Sequence, residues 1–349
     1  MLTIERSRKE PARIFASGIM RRRGFCAWTF ILMKKLWQSF VRNTLRMLLR
    51  TLRFVSWKTA QAWGRALGPL GYRLSKRYRQ VADKNLRLAY GDAMTERERQ
   101  QLIRKVFQNF SMGLFEFLKG ISLTPDDVRR MVPVSKEQYA HIDELLARGK
   151  GLIVISAHIG NWELLCRRGG IDGYKFAVVV RQSHDDGMNE ITDRVRESGG
   201  YEVLARGNSA KAVLQRLKKG GIIAILPDQK SEDVFVPFFG RLTGTVAGPA
   251  TLALKTGAPI LIVFCLRLPD GTYRIEMAPD VDQTSTGDLD ADRIRIMADI
   301  NAEIEKVVRK YPEQWLWLHD RWKAPVPEHL LNPPAESVPA MVDAAGTST

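Results

Sequence analysis

Gly151-Leu-Ile-Val-Ile-Ser-Ala-His158-Ile-Gly160-Asn161-Trp-Glu163-Leu-Leu165 decides how the rest of the chain is read. Leu152–Ala157 is a short apolar run rich in β-branched residues, the pattern of a strand buried on both faces. The run stops at His158, and Gly160 and Asn161 precede a segment that can be helical. A strand, a sharp turn and a helix start follow one another. A polar side chain at the carboxyl end of a buried strand sits where open α/β sheets hold their ligands. Five residues of straight helix turn through about 140°, so His158 and Glu163 meet only if the histidine lies in the turn and the glutamate in the first helical turn. In that geometry a carboxylate on one imidazole nitrogen fixes the tautomer and frees the other to take a proton. His-x-x-x-x-Glu alone also describes a buried histidine at a strand end, so the rest of the chain has to decide.

Around this stretch the chain reads as alternating strands and helices. Strands are expected at Leu152–Ala157, Lys175–Val180, Tyr201–Leu204, Gly221–Leu226, Val234–Pro237, Pro259–Leu266 and Tyr273–Ala278. Helices fit at Asn161–Arg168, Gly187–Ser198, Ser209–Lys218, Thr245–Lys255 and Asp288–Arg309. The fold class is α/β, with a mainly parallel central sheet flanked by helices. Before it, Thr95 and Glu98 make a capping box for a long helix reaching about Gly120.

The charge is unevenly placed. Residues 1–90 hold 21 Lys/Arg against 3 Asp/Glu, while residues 91–349 hold 33 against 35. The basicity belongs to the N-terminal quarter, which argues against a nucleic-acid-binding body and for a basic arm meeting an anionic surface. Gly24–Met33 is a mainly apolar run closed by Lys34-Lys35, too short to span a bilayer. Between Gln38 and Arg73, Arg42, Arg46, Arg50 and Arg53 form one helical stripe against Phe40, Leu45, Leu48, Leu49 and Leu52. That is the composition of a helix lying among lipid headgroups. Gly68-Pro69-Leu-Gly71 is expected to break the helical pattern. The organisation expected is a basic extension (1–23), a membrane-associating helical arm (24–73), an α/β domain (74–325) and a disordered Pro/Ala/Ser/Thr-rich tail (326–349).

Polar blocks recur at further strand ends. Arg181 follows the run Val178-Val179-Val180, able to bind a phosphate or polarise a carbonyl. Asp228 and Gln229 follow Pro227, and Asp228 is able to pair with Arg181 or orient a substrate hydroxyl. Val236-Pro-Phe238-Phe239-Gly240, Thr243-Gly-Thr245 at a helix start, and Gly257-Ala-Pro259 complete the set. A Gly-x-Gly-x-x-Gly turn, a Walker loop and a Gly-x-Ser-x-Gly elbow are all missing, which argues against nucleotide chemistry and serine hydrolysis. Cys26, Cys166 and Cys265 have neither a metal nor a C-x-x-C spacing and read as reduced thiols.

Taken together, His158-Ile-Gly-Asn-Trp-Glu163, Arg181, Pro227-Asp228-Gln229, Val236-Pro-Phe-Phe-Gly240, Gly257-Ala-Pro259 and Pro312-Glu-Gln-Trp-Leu-Trp-Leu-His319 resemble the lipid A biosynthesis (late) acyltransferases of the lysophospholipid acyltransferase superfamily. The likeness runs from about Met33 to about Lys323. It implies a membrane-associated enzyme at the cytoplasmic face of an inner membrane. It further implies transfer of a fatty acyl chain from acyl carrier protein, with coenzyme A less favoured, to a hydroxyl of a lipid A precursor or related glycolipid. His158 would be the general base and Glu163 its orienter. Asn161, Arg181, Asp228, Gln229, Phe238, Phe239, Gly240, Thr245 and Pro259 would face the substrates, and neither a metal nor a cofactor is needed. Oxyanion donors would be backbone N–H groups of the His158 turn or Arg181. Where many relatives carry a Gly-containing loop after Asp228-Gln229, this chain has Lys230-Ser-Glu-Asp233, expected to form a short polar loop at the acceptor headgroup. The competing reading from another class is a non-enzymatic membrane-surface protein on the same fold. A basic nucleic-acid-binding protein is a third, which would need aromatics interleaved with its basic patch on an exposed sheet or loop, whereas here the basic residues lie on helices with apolar faces.

Overall fold

The computed structural model describes residues 33, 36–180, 185–205 and 209–331. The 1–23 extension, nearly all of the 24–33 apolar run, Cys26, Arg181 and the tail beyond 331 lie outside the described residues.

Four-residue strand β1 (Leu152–Ile155) is buried throughout and lies near the centre of a six-stranded sheet. Its neighbours are β4 (Ile222–Ile225) and β7 (Ile260–Arg267), both parallel to it. Beyond β4 come β2 (Phe176–Val180) and β3 (Glu202–Ala205), also parallel, and β8 (Tyr273–Met277) closes the other edge antiparallel to β7. The α/β, mainly parallel architecture expected from the strand–helix rhythm is thus present. The pleat of β1 sends Ile153 and Ile155 to one face and Leu152 and Val154 to the other, and each face has its own helical cover. On the first lie α3 (Lys76–Tyr90), α4 (Glu96–Lys119), α9 (Ala210–Lys218), α10 (Gly248–Thr256) and α11 (Leu289–Lys310). On the second lie α5 (Pro125–Met131), α6 (Lys136–Ala147) and α7 (Trp162–Ile171). Burying each large aliphatic side chain of β1 contributes about 1.5–3 kcal/mol. The segment just before His158 is therefore held among the most rigid parts of the molecule. Cys166 and Cys265 are buried free thiols, and burial pushes both above the ordinary thiol range.

Three expectations are corrected. First, Pro69 does not end a helix: α2 (Trp57–Leu74) runs through it. An interior proline costs about 3 kcal/mol, so tertiary packing must outweigh it. That packing is α2 against α4. A Cβ on Gly64 would stand 2.6 Å from Met112 Cα, and one on Gly68 2.5 Å from Gln108 Cα. The glycines that look like breakers are what allow the two backbones to touch. Gln61 on α2 also donates to Glu116 Oε1 (2.8 Å) and to the Gly271 carbonyl (3.1 Å). The expected arm boundary at residue 73 falls at the end of α2, and α2 itself packs closely on α4. Only the preceding helix α1, residues 36–52, lies on the outside, and even there Leu45, Leu48, Leu49 and Leu52 pack inward towards Phe115 and Leu118 of α4.

Second, Lys230-Ser-Glu-Asp233 is not a loop. It opens β5 (Lys230–Phe238), which pairs antiparallel with β6 (Arg241–Thr245) through a bulge at which Lys230 and Val234 both face Thr245. Phe239 (φ 53°) and Gly240 (φ 70°) form the two-residue turn, whose positive φ values suit a tight hairpin. Third, Thr245 ends β6 and does not start a helix, since α10 begins at Gly248. At the C-terminal end, Glu328–Leu331 of the expected tail form a single helical turn, α12.

Candidate active site

The turn after β1 is over-determined. Gly160 (φ 62°) passes so close to β7 that a Cβ would lie 2.1 Å from the Cys265 carbonyl oxygen. No other residue fits there. The Leu316 N–H donates to the His158 carbonyl (3.0 Å), the Gly160 N–H to Gln314 O (3.2 Å) and the Asn161 N–H to Cys265 O (2.8 Å). Asn161 then caps α7: its Oδ1 accepts from the Leu164 N–H (2.8 Å), and its Nδ2 donates to Glu116 Oε2 (2.9 Å). Glu116 is fully buried against Arg267, with Nη2–Oε2 at 2.6 Å. Burial would raise its pKa, but the Arg267 charge and its hydrogen bonds overcome that and hold the carboxyl below its usual range.

This scaffold presents His158, one-fifth exposed, over a cavity of about 190 Å³. Its partner is not Glu163. His158 Nδ1 stands 2.7 Å from Asp228 Oδ1, and the His158 backbone N–H and Trp315 Nε1–H both donate to Asp228 Oδ2, at 2.8 and 2.9 Å. Asp228 comes from the turn after β4, the strand hydrogen-bonded to β1, so two adjacent strand ends bring the pair together. Burial alone would push Asp228 up. The His158 charge, the His158 hydrogen bonds and the Trp315 indole reverse this and keep it ionised, below the ordinary carboxylate range. An anionic Asp228 accepts from Nδ1–H and leaves Nε2 as the basic nitrogen. Gln229 Nε2 lies 3.3 Å from that nitrogen. Trp162 stands edge-on to the imidazole, ring centroids 5.1 Å apart.

Glu163 does sit in the first turn of α7, as its spacing from His158 requires, yet its carboxylate turns to α8 (Asp186–Glu197), where Arg196 Nη2 holds Oε1 at 2.6 Å. The Tyr201 hydroxyl approaches Oε2 at 3.4 Å. The expected His158–Glu163 contact is replaced because a guanidinium is a stronger partner for a half-buried carboxylate than a neutral imidazole. Glu163 and Arg196 remain on the wall of the same cavity as His158.

The other expected substrate contacts divide. Gln229 is at the site. Asp228 is there too, but as the histidine's partner and 3% exposed, so it does not face substrate. Asn161 lines the cavity with its polar atoms already committed to the α7 cap and Glu116. Phe238 and Phe239 are core residues stacked among Trp315, Trp317 and Trp322, Gly240 is the tip of the hairpin turn, and Thr245 is fully buried and accepts from Arg321 Nη2 (2.6 Å). Pro259 precedes β7 at its amino end, and its carbonyl accepts from the Ile153 N–H (2.9 Å). In a parallel sheet that is the edge opposite the His158 rim. Arg181 lies outside the described residues. The turn's own N–H groups are not free for an oxyanion either: Ile159, Gly160 and Asn161 donate to the carbonyls of Ala157, Gln314 and Cys265.

Three partners went unread in the sequence. Trp315 was visible only inside the Pro312–His319 block, and Arg196 as one charge among many on α8. Arg321 was a third, fully buried, with Nη1 donating to the Gly244 carbonyl (2.6 Å); burial brings it down to about 10.

A second cavity of about 440 Å³ adjoins the first, lined by Leu67, Gly68 and Gly71 of α2, by Phe107 of α4 and by His319. Phe110, Leu114 and Leu316 border both.

A histidine–aspartate pair at the strand ends of a parallel sheet, opening on apolar cavities, is an arrangement able to activate a hydroxyl in an α/β enzyme. Residues 31–324 match the family model of bacterial lipid A biosynthesis acyltransferases, and the protein belongs to that family. It is an acyltransferase. It is 27% identical over 265 residues to the lipid A biosynthesis lauroyltransferase of Escherichia coli K12, covering 74% of this chain and 84% of that one. It is 28% identical over 274 residues to the palmitoleoyltransferase of the same organism, covering 77% and 86%. A phosphatidylinositol mannoside acyltransferase of Mycobacterium tuberculosis is 28% identical over 198 residues, covering 54% and 60%.

Proposed function

We propose that the protein transfers a fatty acyl chain from an acyl carrier protein thioester to a hydroxyl of a lipid A precursor or related glycolipid at a membrane surface. The observation that carries the mechanism is the Nδ1–Asp228 hydrogen bond, which leaves His158 Nε2 as the base beside an apolar cavity. The acceptor hydroxyl loses its proton to Nε2 as its oxygen bonds to the thioester carbonyl carbon. The tetrahedral oxyanion then collapses, the carbon–sulfur bond breaks, and the thiolate takes the proton from the imidazolium. Asp228 stabilises the imidazolium, with the Trp315 indole N–H and the His158 backbone N–H fixing the carboxylate. The N–H groups of Ile159, Gly160 and Asn161 are spent, and among the described residues the Gln229 amide, 3.3 Å from His158 Nε2, is a side-chain donor placed for the oxyanion. Glycolipid acceptors are supported by the relatives, whose names cover lipid A and phosphatidylinositol mannoside.

Membrane docking is supported by what α1, α2 and α4 expose. Trp63, Leu67, Leu70 and Leu74 recur at spacings of 4, 3 and 4 along α2, and all are exposed, as are Trp37 and Phe40 of α1 and Phe110 and Leu114 of α4. No described helix is long and apolar enough to cross a bilayer, so the contact is interfacial.

The test is acyl transfer by the purified full chain from acyl carrier protein and coenzyme A thioesters to a lipid A precursor, followed by mass spectrometry. The reading requires acylated product with the wild type and a loss on the order of 10²–10⁴ in rate with a folded His158→Ala variant. A folded variant with undiminished transfer would remove His158 from the mechanism. Equal turnover of the two thioesters would remove the preference for the carrier protein.

A further inference from the structure

Helix α4 has a single glycine in its interior, Gly113. Glycine weakens a helix relative to alanine, so a helix keeps one for a reason. Gly64 and Gly68 on α2 have theirs in the backbone contact with α4. Gly113 has none of that kind, because a Cβ built there meets nothing within 4 Å. The space it leaves is the smaller cavity. Gly113 shares the cavity-facing side of α4 with Asn109, Phe110 and Phe117, at helical spacing, and His158 and Trp315 stand on the opposite wall.

We propose that Gly113 sets the length of acyl chain that the enzyme accepts from its thioester donor, a role that rests on the acyl-transfer reading above. The occupant follows from continuity and hydration. A thioester carbonyl beside His158 Nε2 has its chain entering the cavity that Gly113 lines. A donor chain delivered by a soluble carrier leaves that carrier's shelter and needs an apolar wall in the protein. An acceptor already embedded in a lipid surface keeps its chains there, and the larger cavity beside exposed Leu67 is the one continuous with that surface.

The experiment compares wild type, Gly113→Ala and Gly113→Leu with acyl carrier protein donors from octanoyl to palmitoyl, and separately with acceptors of different chain length. Filling the cavity in Gly113→Leu should lower kcat/KM for palmitoyl on the order of tenfold or more, while octanoyl stays within about twofold. Gly113→Ala, whose methyl has open space, should raise Tm and shift the preferred donor shorter by about one or two methylenes. That variant carries the test if Gly113→Leu fails to fold. An unchanged donor profile, an equal loss at every donor length in a folded variant, or a shift that follows the acceptor's chains would each overturn the proposal. Wild-type enzyme inactive on every thioester would instead overturn the acyl-transfer reading, and this assignment with it.

Discussion

At the scale of single residues, the site separates two carboxylates whose roles the sequence alone runs together. Asp228 accepts from the imidazole and from the Trp315 indole, whereas Glu163 is clasped by Arg196. Asp228→Asn should keep the shape but lose the anion, leaving Nε2 protonated in the favoured tautomer. In triads of this kind that change lowers kcat about 10⁴-fold, and a folded Asp228→Asn enzyme within tenfold of wild type would refute the pairing. Glu163→Ala should also be damaging, by another route. It strands the Arg196 guanidinium, one-fifth exposed, in the cavity where an imidazolium has to form. Removing both groups should therefore recover part of the activity lost with Glu163 alone, and a double-mutant cycle on kcat reads this coupling. A cycle with no recovery would argue that Glu163 acts on the imidazole itself. The histidine was legible from its place at the end of an apolar strand. Its partner was not, because Asp228 is 70 residues away and only the β1–β4 pairing brings it near. The local His158–Glu163 spacing offered a closer carboxylate that satisfied the same rule.

At the scale of elements, α2 and α4 show why breakers in a sequence do not always break. Pro69 and the glycines around it point to a helix end, but the close approach of α2 to α4 requires small residues, and its packing outweighs the lost backbone bond. Gly64→Leu and Gly68→Leu should each be strongly destabilising, by about 3 kcal/mol or more, since the obstructing atoms are α4 backbone that cannot swing aside. Chemical denaturation of the single variants measures this, and a loss under about 1 kcal/mol would mean that the helices can separate without cost. The same interface carries the Glu116–Arg267 pair, joined to the α7 cap through Asn161. Arg267→Met leaves a buried carboxylate without its cation, a change typically costing 3–5 kcal/mol. It should also reduce activity through the loosened cap, and unchanged stability would show Glu116 to be neutral in the folded chain. Most strand positions were readable from apolar runs. Strand β6 was not, because Arg241-Leu-Thr-Gly-Thr245 has neither the alternation nor the β-branched density of its neighbours, and its pairing with β5 supplies what the sequence lacks.

At the scale of the whole molecule, a basic excess and exposed apolar side chains both belong to the N-terminal part of the chain, and magnitude decides which of them docks the protein. The basic excess in residues 1–90 predicts electrostatic attachment, worth about 1 kcal/mol per Lys or Arg at an anionic surface. Part of the arginine stripe is already engaged, however. Arg42 donates to Asp185 at the start of α8 (3.1 Å), and Arg46 faces Glu190 at 3.9 Å. The apolar stripe of α2 is exposed along about three turns of its outer face. Inserting three half-exposed leucines should contribute roughly 1 kcal/mol each, so their loss should weaken binding about 10²-fold. We therefore expect Leu67→Gln/Leu70→Gln/Leu74→Gln to bind phosphatidylglycerol-containing vesicles far more weakly than wild type, while its circular dichroism is unchanged. Raising salt should weaken wild-type binding only in part, because screening removes the charge contribution and leaves insertion. Turnover with acyl carrier protein should fall more steeply with salt, since an acidic carrier is attracted by the basic excess of residues 1–90. Vesicle sedimentation and steady-state rates across a salt series separate the two effects. If the triple variant sediments as fully as wild type, and high salt alone releases both, the attachment is electrostatic and the α2 stripe is not the docking face.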